Sequence, residues 1–137
     1  MKIVKDKAII FRTTKPHLVT ERIKNHKVID QDDGTFKVAV RWALKEAQIL
    51  TALGVKDVPS PIGRDYEWSG RFTPFDHQKK TSSFLTLNKK AFCFNEQGTG
   101  KTASVIWAAD YLMQQEKIKR VLVICPLSIM KSAWQED

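Results

Sequence analysis

Cysteine is scarce in this chain, since Cys93 and Cys125 are the only two among 137 residues. Each lies inside an apolar run, and their spacing is not that of metal ligands. We therefore expect two reduced, buried thiols, with neither a disulfide nor a zinc site.

Long apolar runs are also missing. Residues 121–125 form one of the longest runs, far short of the roughly 20 residues that a membrane helix needs. Residues 1–7 interleave charges with apolar side chains, unlike a secretory signal. We expect no membrane partner and a cytoplasmic location.

Acidic residues are the minority charge, with 15 Asp and Glu against 23 Lys and Arg, and the net charge is +8. Such a balance favours polyanionic partners. Nucleic acid is therefore the first partner to consider.

Proline and glycine are few, but several of them fall between residues 55 and 74, namely Pro59, Pro61, Gly63, Gly70 and Pro74. They interrupt any helix or strand pattern. The sequence thus predicts a first domain at 1–54, a linker at 55–74 and a second domain at 75–137.

The first domain has the pattern of a small α+β module. A strand is predicted at 7–11, a short helix at 17–24 after Pro16, and a helix at 44–53. Between the helices, apolar and polar residues alternate over 35–42, and this segment pairs with 26–30 around a turn at 31–34. The pattern predicts a hairpin with one apolar face.

The second domain has a different order of elements. Helices are predicted at 78–87 and 102–115, and short buried strands at 91–94 and 121–125. Strand, helix and strand in this order predict a parallel βαβ unit and an α/β fold. A parallel sheet needs more strands than two, so we expect this domain to be a truncated one.

Residues 96–102 lie between the first of these strands and the helix that follows, where a phosphate-binding loop is expected. Glycines 98 and 100 let successive amides point inward, and the helix N-terminus favours an anion. Lys101 would meet the β and γ phosphates of ATP, and the Thr102 hydroxyl would bind Mg²⁺. The candidate cofactor-binding residues of the loop are Gln97, Gly98, Thr99, Gly100, Lys101 and Thr102, with Lys101 also the candidate catalytic residue. The usual P-loop (Walker A) pattern has a first glycine where this chain has Asn95.

Gln78 precedes the loop, and its amide could pair with the donor and acceptor edges of adenine. One of four aromatic residues in the sequence near Gln78 could stack its ring on the base, although we expect most of them to be buried against the sheet. They are Tyr66, Trp68, Phe72 and Phe75.

Three segments together resemble motifs Q, I and Ia of superfamily 2 helicases: residues 75–78, residues 95–102, and residues 121–128 with Trp134 and Glu136. The branch they most resemble is the Swi/Snf-like DNA translocases, including versions carried by bacteriophages. In that family an acidic residue and Glu commonly precede the loop, which fits Asn95-Glu96.

This resemblance implies a RecA-like ATP-binding lobe, of which the chain holds the first part, and an ATP-dependent DNA helicase or translocase as the parent protein. It also implies that Ser128 and Lys131 face the nucleic-acid backbone. Motif II and the arginine finger are absent from the sequence, so we expect these 137 residues alone to be a poor or inactive ATP hydrolase. Phage or host replication and recombination proteins are possible partners, in a host cytoplasm if the protein is phage-encoded.

Residues 1–62 hold 12 basic against 7 acidic residues and loosely resemble the accessory domains of HARP-type annealing helicases. Lys37 and Arg41 share the polar face of the predicted hairpin and are candidate DNA contacts, single- or double-stranded. Two alternatives stay open from sequence: another P-loop nucleotide-binding enzyme such as a small kinase, and a non-catalytic DNA-binding fragment.

Overall fold

The computed structural model describes residues 1–135 and divides the chain into two compact units, Met1–Arg64 and the part from Asp65 onward. The division falls inside the predicted linker at 55–74. The class is mixed α and β, and the sheet, which lies in the first unit, is antiparallel.

The first unit is built on four strands in the order β1-β2-β4-β3. Their bounds are Lys2–Val4 for β1, Ala8–Thr13 for β2, His26–Asp32 for β3 and Thr35–Arg41 for β4. Helix α1 spans Pro16–Thr20, α2 spans Leu44–Ala52 and α3 spans Ile62–Asp65. The predicted strand, hairpin and α2 are confirmed, α1 is shorter than predicted, and β1 was not predicted.

The hairpin turn has a local cause in the sequence. Asp33 and Gly34 have φ values of +45° and +75°, and a two-residue turn with both residues left-handed matches the twist of the strands. The register then places Asp32 opposite Thr35 and Val28 opposite Val38.

Strand alternation builds the core on one face of this sheet. Ile9, Phe11, Val38 and Val40 are at most 5% exposed, and Leu50 of α2 is fully buried among them. Burying each such side chain contributes about 1.5–3 kcal/mol. The predicted apolar face of the hairpin is therefore confirmed.

The first part of the predicted linker belongs to this unit. Val55 and Val58 pack against the core, and Trp42 donates its indole N–H to the Pro59 carbonyl at 2.9 Å. The Arg64 guanidinium lies 4.7 Å from the centre of the Trp42 ring, a cation–π contact.

In the second unit, the described residues form helices and irregular segments. Helix α4 spans Asp76–Leu87, α5 spans Lys101–Gln114 and α6 spans Leu127–Met130, followed by a π-helical turn at Lys131–Gln135. The predictions of α4 and α5 are confirmed. The two helices meet through small side chains, where the buried Ser82 hydroxyl donates to the Ser104 carbonyl at 2.8 Å.

The predicted strands at 91–94 and 121–125 are wrong for this structure, which has irregular backbone there. Side chains expected in the interior are exposed by more than four-fifths: Phe92, Phe94, Leu122 and Ile124. A strand needs neighbours for its backbone groups and a layer over its side chains, and two short segments supply neither. The parallel βαβ unit is therefore not formed, and Cys93 and Cys125 are half-buried rather than buried.

Within the part of the chain that the structure describes, no helix is long and apolar enough to cross a membrane.

Candidate functional site

The loop before α5 has the backbone that its glycines predict. Gly98 and Gly100 both have φ of +72°, in the left-handed region that glycine adopts without strain. Between them, the Thr99 hydroxyl donates to the Glu96 carbonyl at 2.7 Å and closes a turn. Alternating handedness of this kind curls a backbone so that its amides face one side.

Helix α5 begins directly at this loop, with Gly100 as its N-cap and Lys101 and Thr102 as its first residues. The Ser104 amide bonds to the Gly100 carbonyl at 3.2 Å, so the helical ladder starts there. Amides in the first turn have no carbonyl partner within the helix and carry the positive end of its dipole. The site therefore offers backbone donors and positive potential to an anion.

The Lys101 ammonium lies over the loop. Its Nζ donates to the carbonyls of Asn95 and Glu96, each at 2.8 Å. A lysine ammonium has three donors, and among residues 1–135 Lys101 has no ion pair. Because carbonyls rather than a carboxylate hold this ammonium, its full positive charge remains for a phosphate group.

Gln78 is 8% exposed and is placed against the loop. Its Oε1 accepts from the Phe75 amide at 2.9 Å, which helps to cap α4, and its Nε2 donates to the Gly100 carbonyl at 3.3 Å. The side chain predicted to read adenine thus uses one end of its amide to cap α4 and the other to hold the loop. Its contact with adenine stays a prediction.

Sequence reasoning missed two further residues that hold the loop. The His77 Nε2 lies 2.8 Å from the Thr99 carbonyl, and Asn95 donates its amide N–H to the Thr81 hydroxyl at 2.9 Å. With Gln78, these α4 tethers come from positions 77, 78 and 81, which one side of a helix presents together. The only sequence signal was the helical spacing itself, which does not say what the side chains contact.

Of the predicted loop residues, Gln97 and Gly98 are exposed, while Thr99, Gly100, Lys101 and Thr102 are half-buried. Thr102 offers a hydroxyl of the kind that suits Mg²⁺, and the phosphates of a bound nucleotide would supply further oxygens. The residues present fit a nucleoside triphosphate with bound Mg²⁺.

The other predicted contacts lie elsewhere. Ser128 is an exposed residue of α6, and Lys131 is exposed at the start of the π-helical turn. Lys37 and Arg41 are on β4 of the first unit. Of the residues that resemble motif Ia, Trp134 is half-buried and Glu136 lies outside the described residues.

The aromatic group divides in two. Tyr66 and Trp68 pack edge-on against rings of α5, with centroids 6.0 Å apart for Tyr66 and Tyr111 and 5.5 Å apart for Trp68 and Trp107. Phe72 and Phe75 are 73% and 68% exposed, so the expectation of burial against a sheet is wrong for them, since the described residues of the second unit form no sheet. Phe75 stacks on His77 with centroids 5.7 Å apart.

The buried Tyr66 hydroxyl donates to the Asp110 carboxylate at 2.6 Å. Burial and this carboxylate both raise the pKa of Tyr66, because each disfavours the phenolate. The aromatic cluster therefore packs around α5, the helix that carries Lys101.

Comparison of the chain with protein-family models, with curated proteins and with solved structures finds no match.

Proposed function

We propose that the loop at 95–102 binds the phosphates of ATP with Mg²⁺, and that the chain is the amino-terminal part of an ATP-dependent DNA helicase or translocase. The observation that carries the proposal is the placement of the Lys101 ammonium over a loop with two left-handed glycines at the start of α5. Backbone amides, helix dipole and ammonium all favour an anion at this one place.

Each residue then has a role in binding. The amides at Gly98 and Gly100 would surround the phosphates, Lys101 would neutralise the β and γ groups, and the Thr102 hydroxyl would hold Mg²⁺. The α4 tethers keep the loop in shape for binding. ATP, when bound, supplies through hydrolysis the free energy that movement along a nucleic acid requires.

The order of three motifs favours a translocase over a small kinase. A kinase needs an acceptor-substrate site beside the loop, and nothing in the sequence supplies one. Motifs like Q, I and Ia, by contrast, follow one another as in superfamily 2. On this proposal the second unit belongs to a RecA-like lobe.

The nucleic-acid contacts in this proposal are Lys37 and Arg41 in the first unit and Ser128 and Lys131 in the second. All four offer a cation or a hydroxyl, which are groups that bind phosphate oxygens. Arg41, Ser128 and Lys131 are exposed, and Lys37 is half-buried.

The experiment is a titration of the whole chain with a fluorescent ATP analogue and Mg²⁺. Lys101→Ala should weaken binding at least tenfold, and Lys101→Arg should fail to restore it, because a planar guanidinium does not replace a compact ammonium. Lys80→Ala, which removes an exposed lysine of α4, is the matched control. Equal affinities of wild type and a folded Lys101→Ala variant would refute the assignment of the loop.

A further inference from the structure

The sheet of the first unit has a second face, opposite the core, and this open face is strongly basic. The register pairs Arg12 with Lys37, Ala8 with Arg41, Ile10 with Lys2, and Ala39 with Lys27. Since residues paired across an antiparallel sheet point to the same side, five cations share the open face. They are Lys2, Arg12, Lys27, Lys37 and Arg41.

The acidic residues of this face are gathered at one end. Asp30 pairs with Lys37 in the register, and Asp32 with Thr35, next to the hairpin turn. Within the described chain, the ion pair on this face joins Arg12 to Asp30 at 3.8 Å. The positive charge is therefore least compensated at the other end, where Lys2, Lys27 and Arg41 are all exposed.

Apolar side chains separate these cations. One row crosses all four strands as Lys2, Ile10, Ala39 and Lys27. Three strand spacings put about 14 Å between the outer backbones of this row. The floor between the lysines consists of Ile10 and Ala39, with Ala8 beside them, so a rigid, wide ligand can lie across the face.

We propose that this open face binds the phosphate backbone of a nucleic-acid duplex. A duplex presents about eight phosphate charges over 14 Å of its axis, and a single strand about half as many. Single-strand sites add aromatic platforms on which bases stack, and none of the strand residues on the open face is aromatic. The inference deepens the proposed function and rests on it for the choice of nucleic acid as the polyanion.

The test uses the two lysines at the edges of the face. Lys2→Gln with Lys27→Gln should reduce the slope of log affinity against log salt for a short DNA duplex by about 1.8, since each phosphate contact contributes about 0.9. The matched control is Lys45→Gln with Lys56→Gln, which removes the same charge from exposed positions on α2 and in the loop after it. This control should leave the slope unchanged.

Several outcomes would overturn the inference: equal slopes for the two double variants and the wild type, equal losses in both double variants, or tighter binding of a single strand than of the duplex. Anionic lipid vesicles form a further arm, and an effect of Lys2→Gln with Lys27→Gln on vesicles alone would assign the face to a membrane surface instead. Titration with the ATP analogue is run on the same variants. If no nucleotide binds while duplex affinity depends on the open face, the proposed function is refuted, but the inference that the open face binds a duplex is kept.

Discussion

At Gly100 the backbone and a neighbouring side chain require the same residue. Its φ is +72°, and a Cβ placed there would collide with the Gln78 Nε2. Gly98 has the same φ, but a Cβ there would meet no atom within 4 Å. Alanine at either position would strain the backbone, but only alanine at Gly100 would also contact Gln78, so comparing the two positions isolates the effect of that contact.

We expect Gly98→Ala to cost about 1–2 kcal/mol of unfolding free energy, the penalty of a left-handed alanine. Gly100→Ala should cost about 1 kcal/mol more, because it also displaces the Gln78 hydrogen bond. Urea unfolding followed by circular dichroism measures both. In a Gln78→Ala background the excess should disappear; equal costs of the two alanines in the wild type would contradict the contact.

Tyr66 makes stability depend on alkaline pH. Its pKa lies above the ordinary value of 10.0, because of burial and the Asp110 carboxylate. Above pH 10 the unfolded chain releases this proton while the folded chain retains it, so stability falls by up to about 1.4 kcal/mol per pH unit until the folded pKa is passed.

Tyr66→Phe should lower stability at neutral pH by about 1–2 kcal/mol through loss of the hydrogen bond to Asp110, and should make the decline above pH 10 shallower. Unfolding curves between pH 7 and pH 11 measure both effects. If the unfolding free energy of the variant fell with pH above pH 10 as steeply as that of the wild type, Tyr66 would not be the cause of the alkaline decline.

At the level of single residues, the candidate binding residues of the loop could be identified from the sequence. The side chains of α4 that hold the loop could not. The glycines and Lys101 were identifiable because their spacing has a mechanism. The adenine contact of Gln78 stays a prediction, and the contact of its side chain with Gly100 was not foreseen, nor were the loop contacts of His77 and Thr81. Such contacts depend on how α4 and the loop meet, which a local pattern does not determine.

Among the elements, helix α4 holds the loop in place through the hydrogen bonds of His77, Gln78 and Thr81. His77→Ala or Thr81→Ala should each raise amide hydrogen exchange in residues 95–100 about fivefold, as expected when one hydrogen bond worth about 1 kcal/mol is lost. Lys80→Ala, on the same helix but exposed, is the control. Unchanged exchange in both tether variants would mean that the loop holds its own shape.

Elements with local signals were predicted well, and elements that depend on partners were not. The Asp33-Gly34 turn fixes its hairpin, and apolar residues at helical spacing mark α2 and α5. Segments 91–94 and 121–125 have strand composition, yet composition provides no neighbouring strand. Strand β1 was missed because three residues, Lys2–Val4, are too short for a periodic signal.

At the scale of the whole molecule, we expect nucleotide binding without turnover. Phosphoryl transfer needs metal-holding carboxylates and a positioned water besides the loop, and the motif that would supply them is absent from these 137 residues. We expect ATP hydrolysis by the purified chain to stay well below about 1 per second, an ordinary enzyme rate, with or without DNA. A phosphate-release assay measures this, and turnover at that rate would require a catalytic group that the account lacks.

The most direct test of the central claim, that the loop binds a nucleotide triphosphate, is amide NMR of the whole chain with and without ATP and Mg²⁺. We expect the largest shift changes at Gly98, Gly100, Lys101 and Thr102, and we expect AMP, which lacks the β and γ phosphates, to leave these amides nearly unchanged. Shift changes of equal size with AMP, or changes confined to residues outside the loop and the first turn of α5, would contradict it.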